Sequence, residues 1–437
     1  MKSILVIGLG LSGYSVVRHL NPGAARLTVS DTRETPPYLS SLRENYPDVE
    51  VITGRIPMER IGKYDEIVVS PGVDLPEPIN PDILVGDIEL FAREAAAPVI
   101  GITGSNGKST VTMLVRDMLR AAGRKVLAGG NIGTPALDLL QEERPDYYVL
   151  ELSSFQLETV QSLNLVSAAV LNISEDHMDR HQNIGAYTRA KLRIFRNADR
   201  AVINRDDSNL CVAFRSPANP VSFGLQSPGN DLDFGVIKER SVRTLVHGSR
   251  KLIREDKLNI RGDQNLSNVL AAMALVHTAG VELDSGVVQA AADFRGLPHR
   301  CERIAKSRGV EWINDSKATN TGATMAAIRS MRRPTILIAG GQGKGADFRE
   351  LGGLIDQHIR HAILIGEDAA RIDAALCDKT GRTFAGTLDE AVAIADRQAA
   401  QGDVVLFSPA CASYDMFDNY EHRGEVFRKL VNERVNR

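Results

Sequence analysis

Cysteine is scarce in this 437-residue chain, and none of it is paired by spacing. Cys211, Cys301, Cys377 and Cys411 are widely scattered with no C-x-x-C, which excludes a cysteine zinc site and a disulfide framework. A reducing compartment follows, so a cytoplasmic location is expected. Long apolar runs are missing too. No stretch approaches the ~20 residues of a membrane span. The apolar start Ile4-Leu5-Val6-Ile7 is preceded by one positive side chain, Lys2, and followed by Gly8, Gly10 and Gly13. With no small-residue cleavage site, it reads as a buried strand rather than a signal peptide. An excess of one charge is also lacking: 52 basic against 55 acidic residues give a net charge of −3. That balance excludes a generic binder of nucleic acid or of membrane surfaces. Fixed-period repeats and low-complexity segments are absent.

What is present is an ordinary globular composition, 43% hydrophobic and 24% charged. At ~150 residues per domain the length suggests about three domains. Short apolar runs alternate with longer amphipathic stretches, the pattern of βαβ units and parallel sheets. The first series comprises Ile4 to Ile7, Leu27 to Ser30 and Ile67 to Val69, ending at Ser70-Pro71-Gly72. A second comprises Val99 to Ile102, Tyr148 to Leu150, Ala168 to Leu171 and Ala201 to Ile203. Between Cys211 and Arg261 short alternating strands are expected, such as Ser241 to Val246, with a hairpin turn at His247-Gly248-Ser249. An alanine-rich helix from Asn265 to Ala279 should close at Gly280. After Arg295-Gly296-Leu297-Pro298 a third series runs through Trp312-Ile313, Ile336 to Ile338, Ile363 to Ile365 and Val404 to Phe407. The fold class is therefore α/β in three domains. A Rossmann-like parallel sheet is expected over 1–92 and a P-loop ATPase-like α/β domain with an added small antiparallel sheet over 93–295. A second Rossmann-like domain is expected over 296–437.

Two segments have the character of phosphate loops. Gly8-Leu9-Gly10-Leu11-Ser12-Gly13 fits G-x-G-x-x-G between a strand and a helix, and Asp31 ends the next strand. Such glycines let backbone approach a diphosphate at a helix N-terminus, and the acid can bind a ribose-like hydroxyl. The pattern does not separate NAD from another nucleotide diphosphate, nor from a tight turn without a ligand. Gly104-Ser105-Asn106-Gly107-Lys108-Ser109-Thr110 is more specific. Its N–H groups can cradle phosphates, Lys108 can neutralise β/γ charge, and a hydroxyl can reach Mg²⁺. The strict pattern puts glycine at position 102, where Ile102 stands, so this is a variant P-loop. A dehydrogenase or a simple ATPase needs one such loop. An enzyme that uses ATP to activate a nucleotide-linked substrate needs both.

Glu151 follows the strand Tyr148 to Leu150, the position of an acid that meets the metal beside a P-loop, or of a plain helix-starting acid. His177 and His181 stand four apart, a spacing that can bind zinc, but Met178 occupies the glutamate position of H-E-x-x-H. Ordinary packing is the competing reading for either histidine. Lys191, in the amphipathic segment Tyr187 to Phe195, reads as a solvated surface lysine on spacing alone. Three polar or glycine-rich loops follow strands in the last third: Asn314 to Asn320, Gly340 to Gly345 and Ser408 to Ser413. Loops at the carboxyl ends of parallel strands are where open α/β sheets bind ligands.

Taken together these residues resemble the Mur ligase family, ATP-dependent amide-forming enzymes of peptidoglycan assembly, and most of all its D-glutamate-adding branch. Shared marks include Gly8 to Gly13, Asp31-Thr32-Arg33, Gly86 to Phe91, Thr103 to Thr110, Gly129 to Gly133 and Glu151 to Thr159. Glu175 to Arg180, Asn314 to Asn320, Ser408 to Asp415 and Arg423-Gly424 complete them. The resemblance implies a UDP-sugar, not NAD, at Leu11, Ser12, Asp31, Thr32, Arg33, Gly72 and Asn131. It implies ATP at Gly104 to Thr110, with Asn265, Asn268, Arg300 and Asp315 near the adenine and ribose. Lys317, Thr319, Lys344, Ser413 and Tyr420 would surround the incoming glutamate. Two departures stand out: relatives usually have histidine at Gln264 and often phenylalanine at Tyr420.

The resemblance also implies that CO₂ carbamylates Lys191, turning a cation into an anion. Ser109, Thr110, Glu151, His177 and the Lys191 carbamate would hold two Mg²⁺ ions, with Lys108, Glu151, His177 and Lys191 as the catalytic set. The expected substrates are UDP-N-acetylmuramoyl-L-alanine, D-glutamate and ATP, handled by a monomer without nucleic-acid or membrane partners. The alanyl carboxylate would attack the γ-phosphate to give an acyl phosphate, which the glutamate amine would then attack. A dehydrogenase, a motor or regulatory NTPase, a folylpolyglutamate synthase and a non-enzymatic binding module are the competing readings.

Overall fold

The structure is a computed structural model. It describes the chain except residues 1, 21–25, 77–78, 177, 215–219, 241, 261, 332, 378–379 and 436–437, and the side chain of 179. Two compact units emerge: Met1–Lys257 with Ser267–Asp293, and Leu258–Leu266 with Phe294–Arg437. The first unit holds two sheets and the second holds one.

The first sheet comprises β1 (Ser3–Ile7), β2 (Arg26–Asp31), β3 (Glu50–Thr53), β4 (Glu66–Val69) and β5 (Leu84–Val85), in the order β3-β2-β1-β4-β5. All its pairings are parallel. Alternate residues of β1 enter different cores: Ile4 and Val6 pack on one face, Leu5 and Ile7 on the other. A strand covered on both faces must be apolar at every position, hence the uninterrupted run in the sequence.

The second sheet holds β6 (Val99–Thr103), β7 (Val126–Gly130), β8 (Tyr147–Glu151), β9 (Ser167–Val170) and β10 (Ala201–Asn204). It continues through β11 (Val221–Phe223), β12 (Phe234–Glu239), β13 (Val242–His247) and β14 (Arg250–Arg254). The order is β14-β13-β12-β11-β10-β9-β6-β8-β7. Antiparallel pairing is confined to β12-β13-β14, with Gly248 at φ +52° in the expected hairpin turn. These strands extend the parallel sheet through Phe223 opposite Phe234 instead of forming a separate sheet. The alanine-rich helix spans Asp263–Thr278, and Gly280 at φ +85° follows it.

In the second unit β15 (Glu302–Ser307), β16 (Val310–Asn314), β17 (Thr335–Gly340), β18 (Ile359–Ile365), β19 (Gly381–Phe384) and β20 (Val404–Phe407) pair in the order β15-β16-β20-β17-β18-β19. Only β15 runs antiparallel to its neighbour. Ile336 and Ile338 of β17 face one core, Leu337 and Ala339 the other. In all three sheets the loops singled out in the sequence leave the carboxyl ends of parallel strands: β1, β6 and β8, then β16, β17 and β20.

Candidate active site

The loop after β1 forms one wall of a cleft of about 680 Å³ in the first unit. Gly8, at φ +97°, makes the turn, and a Cβ on Gly13 would stand 1.8 Å from the Gly8 carbonyl oxygen. The helix Leu11–Leu20 therefore packs against the strand end through glycine alone. A Cβ on Gly10 would meet nothing within 4 Å, so that position is open toward the cleft. Leu11, Ser12, Asp31, Thr32, Arg33, Gly72 and Asn131, the residues assigned to a UDP-sugar, all line this one cleft. Asp31 Oδ2 accepts hydrogen bonds from Leu9 N and Arg33 Nη2, both at 2.7 Å. Its Oδ1 accepts from Arg33 N at 2.9 Å and Arg33 Nε at 2.8 Å. Burial alone would raise the carboxyl pKa, but the Arg33 guanidinium and the two backbone N–H groups outweigh it and hold it at about 2. With its four acceptor positions filled, Asp31 meets a ligand hydroxyl only by releasing one of these donors, and its direct effect is to fix Arg33.

The P-loop joins β6 to the helix Lys108–Ala121. Ile102, at the position of the strict motif's first glycine, is a fully buried residue of β6. The positive φ values fall instead at Gly104 and Gly107. Asn172, just beyond β9, binds the loop by accepting from Asn106 N at 2.8 Å through Oδ1 and from Ser105 N at 3.0 Å through its carbonyl. Those two N–H groups are taken, whereas the first N–H groups of the helix have no intrahelical acceptor and can meet an anion. Lys108 Nζ donates to the carbonyls of Gly104 and Ser105, both at 2.9 Å. Asn268 abuts the loop, since a Cβ on Gly107 would lie 2.5 Å from its Oδ1. Asn265 stands about one turn earlier on the same helix.

Glu151, the last residue of β8, is 3% exposed. Its Oε2 accepts from Ser109 Oγ at 2.6 Å, and its Oε1 accepts from Asn131 Nδ2 at 2.8 Å. One carboxylate thus joins the P-loop helix to the cleft wall. Among the described residues no three His, Cys, Asp or Glu side chains cluster as a metal site. The Glu151 carboxylate with the Ser109 hydroxyl is a sparse oxygen set of the kind Mg²⁺ uses when substrate phosphates supply further ligands.

Lys191 corrects its reading from spacing, because it is 2% exposed rather than solvated. Its Nζ donates to Gly104 O at 2.9 Å and lies 4.4 Å from the centre of the Tyr187 ring. Burial first, then the charge of Lys108, drive its pKa well down against the opposing pull of Asp176 and Glu151. As an ammonium it has no lone pair to offer a metal; as a carbamate it would offer carboxylate oxygens. His177 lies outside the described residues. His181 is packed, with Nε2 2.9 Å from Ser154 Oγ and its ring stacked on Phe155 at 5.1 Å.

In the second unit, Asp315 is buried where β16 ends, accepting from Cys301 N at 3.0 Å and Ser408 Oγ at 2.7 Å. Burial pushes its pKa up to about 6, against the pull of these donors. Arg300 lies between His299 and Cys301, both at positive φ. Lys317 Nζ sits 3.6 Å from the centre of the Tyr420 ring, Lys344 Nζ 5.3 Å from that of Tyr414, Ser413 is buried and Thr319 is exposed. Two residues without an assigned role organise this group. Arg423, 1% exposed, donates to Ser316 Oγ and to the carbonyls of Ser316, Cys411 and Ala412, tying the loop after β16 to the loop after β20. His299 accepts from Lys317 N at 3.0 Å through its carbonyl, and its Nδ1 lies 3.0 Å from Asn314 Nδ2. Asn172 and His299 carry no spacing signal, though Asn172 stands just past a strand end; Arg423 is marked only through the resemblance, in Arg423-Gly424.

Family models match three stretches: residues 2–90 (Mur ligase MurD-like, N-terminal domain), 102–276 (Mur ligase middle domain) and 299–411 (Mur ligase, glutamate ligase domain). The chain is 46% identical to the UDP-N-acetylmuramoylalanine–D-glutamate ligase of Nitrosococcus oceani, over 98% of this chain and 96% of the relative. It is 47% identical to the protein of that name from Pseudomonas savastanoi pv. phaseolicola, over 98% and 97%. A MurF ligase of Thermotoga maritima solved with ADP shares the fold, with a TM-score of 0.62 at 16% identity over 99% of this chain and 95% of that one. With family models over most of its length and relatives of such identity along nearly all of it, the chain belongs to the Mur ligase family.

Proposed function

We propose that this enzyme joins D-glutamate to the alanyl carboxylate of UDP-N-acetylmuramoyl-L-alanine with ATP, giving ADP and phosphate in peptidoglycan precursor synthesis. The observation that carries this reading is the double hydrogen bond of Glu151, which connects the P-loop to the cleft lined by Asn131. A carboxylate to be activated and a phosphate to activate it need such neighbouring sites. In this reading residues 1–92 hold the UDP-sugar, 93–295 the ATP and 296–437 the glutamate, in a cytoplasmic monomer.

A carboxylate is a poor electrophile, so its oxygen first attacks the γ-phosphorus and ADP departs. The glutamate amine then attacks the acyl phosphate carbon, phosphate leaves, and the amine loses a proton as the amide forms. Lys108 offsets the charge that converges at the phosphates, and Asn265, Asn268, Arg300 and Asp315 orient the nucleotide. Lys317, Thr319, Lys344, Ser413 and Tyr420 receive the amino acid. Ser109, Thr110, Glu151, His177 and carbamylated Lys191 would hold Mg²⁺, which when bound would supply Lewis-acid neutralisation of phosphate charge. Carbamylation is supported by the burial of Lys191, since the neutral amine that burial favours is the form that attacks CO₂.

Lys108→Ala and Glu151→Gln should each lower ADP release by at least ~10³-fold while melting and circular dichroism stay as in the wild type. Either variant turning over within tenfold of the wild type would contradict the assignment.

A further inference from the structure

Asp87 is a buried carboxylate that the mechanism above does not use. It opens the helix Asp87–Glu94 and is 4% exposed. Its Oδ2 accepts from Gln156 Nε2 at 3.1 Å and its Oδ1 from Ile88 N at 3.0 Å, and the Ser12 hydroxyl helps to stabilise its charged form. Every partner is a neutral donor. Burial dominates and pushes the carboxyl up to about 6, so the fold carries a charge that neutral packing would avoid.

Its partners explain where that charge is directed. Ser12 and Gln156 both line the cleft described above, Ser12 from the loop after β1 and Gln156 from the helix Ser154–Glu158 that follows β8. Gln156 is held at its other end as well, where Oε1 accepts from Ser153 N at 3.1 Å in a capping box. These two bonds leave the amide one N–H and one carbonyl lone pair for a ligand, in a fixed orientation. Resting on the reading that the cleft takes a UDP-sugar, we infer that Asp87 is a positioning residue for that substrate. It holds Gln156 through Nε2 and faces the Ser12 hydroxyl, so that both present their polar groups to the nucleotide-sugar. It does not touch the reacting atoms, so it should govern affinity for this one substrate and leave the chemical step alone.

The test compares full-length wild type, Asp87→Asn and Asp87→Ala by calorimetric titration with UDP-N-acetylmuramoyl-L-alanine and, separately, with a non-hydrolysable ATP analogue. KM and kcat are measured alongside. Asp87→Asn keeps an acceptor for Gln156 but places an amide where Ile88 N points. It should weaken UDP-sugar binding about tenfold, and Asp87→Ala by more. Affinity for the ATP analogue, KM for glutamate and kcat at saturating UDP-sugar should stay within about twofold. Unchanged UDP-sugar affinity in both variants would overturn the proposal. So would an equal loss of affinity for both ligands with a lowered melting temperature, the mark of a merely structural role. A wild type that binds the ATP analogue but no UDP-sugar would overturn the functional reading itself, and this proposal with it.

Discussion

At the scale of single residues, Asp31 illustrates how a site side chain acts through its neighbour. Its carboxylate is filled by Leu9 and Arg33, so what it offers the cleft is a fixed guanidinium. The same bonds link it to stability. Its folded value, about 2, lies below the ordinary ~4 of an aspartate, so the stability it lends is complete above ~4 and is lost as pH falls toward 2. Asp31→Asn should therefore flatten the fall in urea midpoint between these pH values; an unchanged acid slope would contradict the assignment. Lys191 marks the limit of residue-level reading. Its neighbours in sequence give it the spacing of a surface lysine, and only the family resemblance drew attention to it. What buries it, the Gly104 carbonyl and the Tyr187 ring, is set by tertiary packing that no local pattern encodes.

At the scale of elements, the sequence was most legible where a strand is covered on both faces. The interior runs in β1, β6, β17 and β20 stand out because every position is buried. β3, β5, β7, β15 and β19 gave no apolar run of their own, and all five lie at sheet edges, where one side has no neighbour to pair with. Glu302 to Ser307 and Gly381 to Phe384 are largely polar for that reason. The loops after β1 and β6 were readable because glycine is needed there: at Gly13 for contact with the Gly8 carbonyl, at Gly107 for its positive φ. The clamp between the loops after β16 and β20 was marked only by the family resemblance, in Arg423-Gly424, because it is one arginine within an otherwise unremarkable helix, Tyr420–Val435. Arg423→Met would leave the carbonyls of Ser316 and Cys411 without this donor and that of Ala412 with Gln342 N alone. It should lower unfolding free energy by about 3 kcal/mol and raise KM for glutamate well above any change in KM for the UDP-sugar. Urea unfolding and steady-state kinetics check this, and equal KM values with unchanged stability would contradict it.

At the scale of the whole molecule, the expectation of three domains meets three sheets gathered into two compact units. The first two sheets share a unit because one apolar core runs through both, and polar side chains add to it. Ser15 donates to Asp138 at 2.7 Å, and Glu89 accepts from Gln161 N and Ser162 N at 2.8 and 2.9 Å. Such contacts join residues far apart in the chain and leave no periodic trace. The net charge of −3 suits the proposed anionic substrates because Lys108 stands in the P-loop and Arg33 lines the cleft, a distribution that composition does not reveal. The central claim, that both phosphate loops serve one amide-forming reaction, is tested most directly by following ADP release while substrates are omitted in turn. The account predicts rapid release only when UDP-N-acetylmuramoyl-L-alanine and D-glutamate are both present, with L-glutamate failing to replace the D-isomer. Release that proceeds without the UDP-sugar, or equally well with L-glutamate, would contradict it.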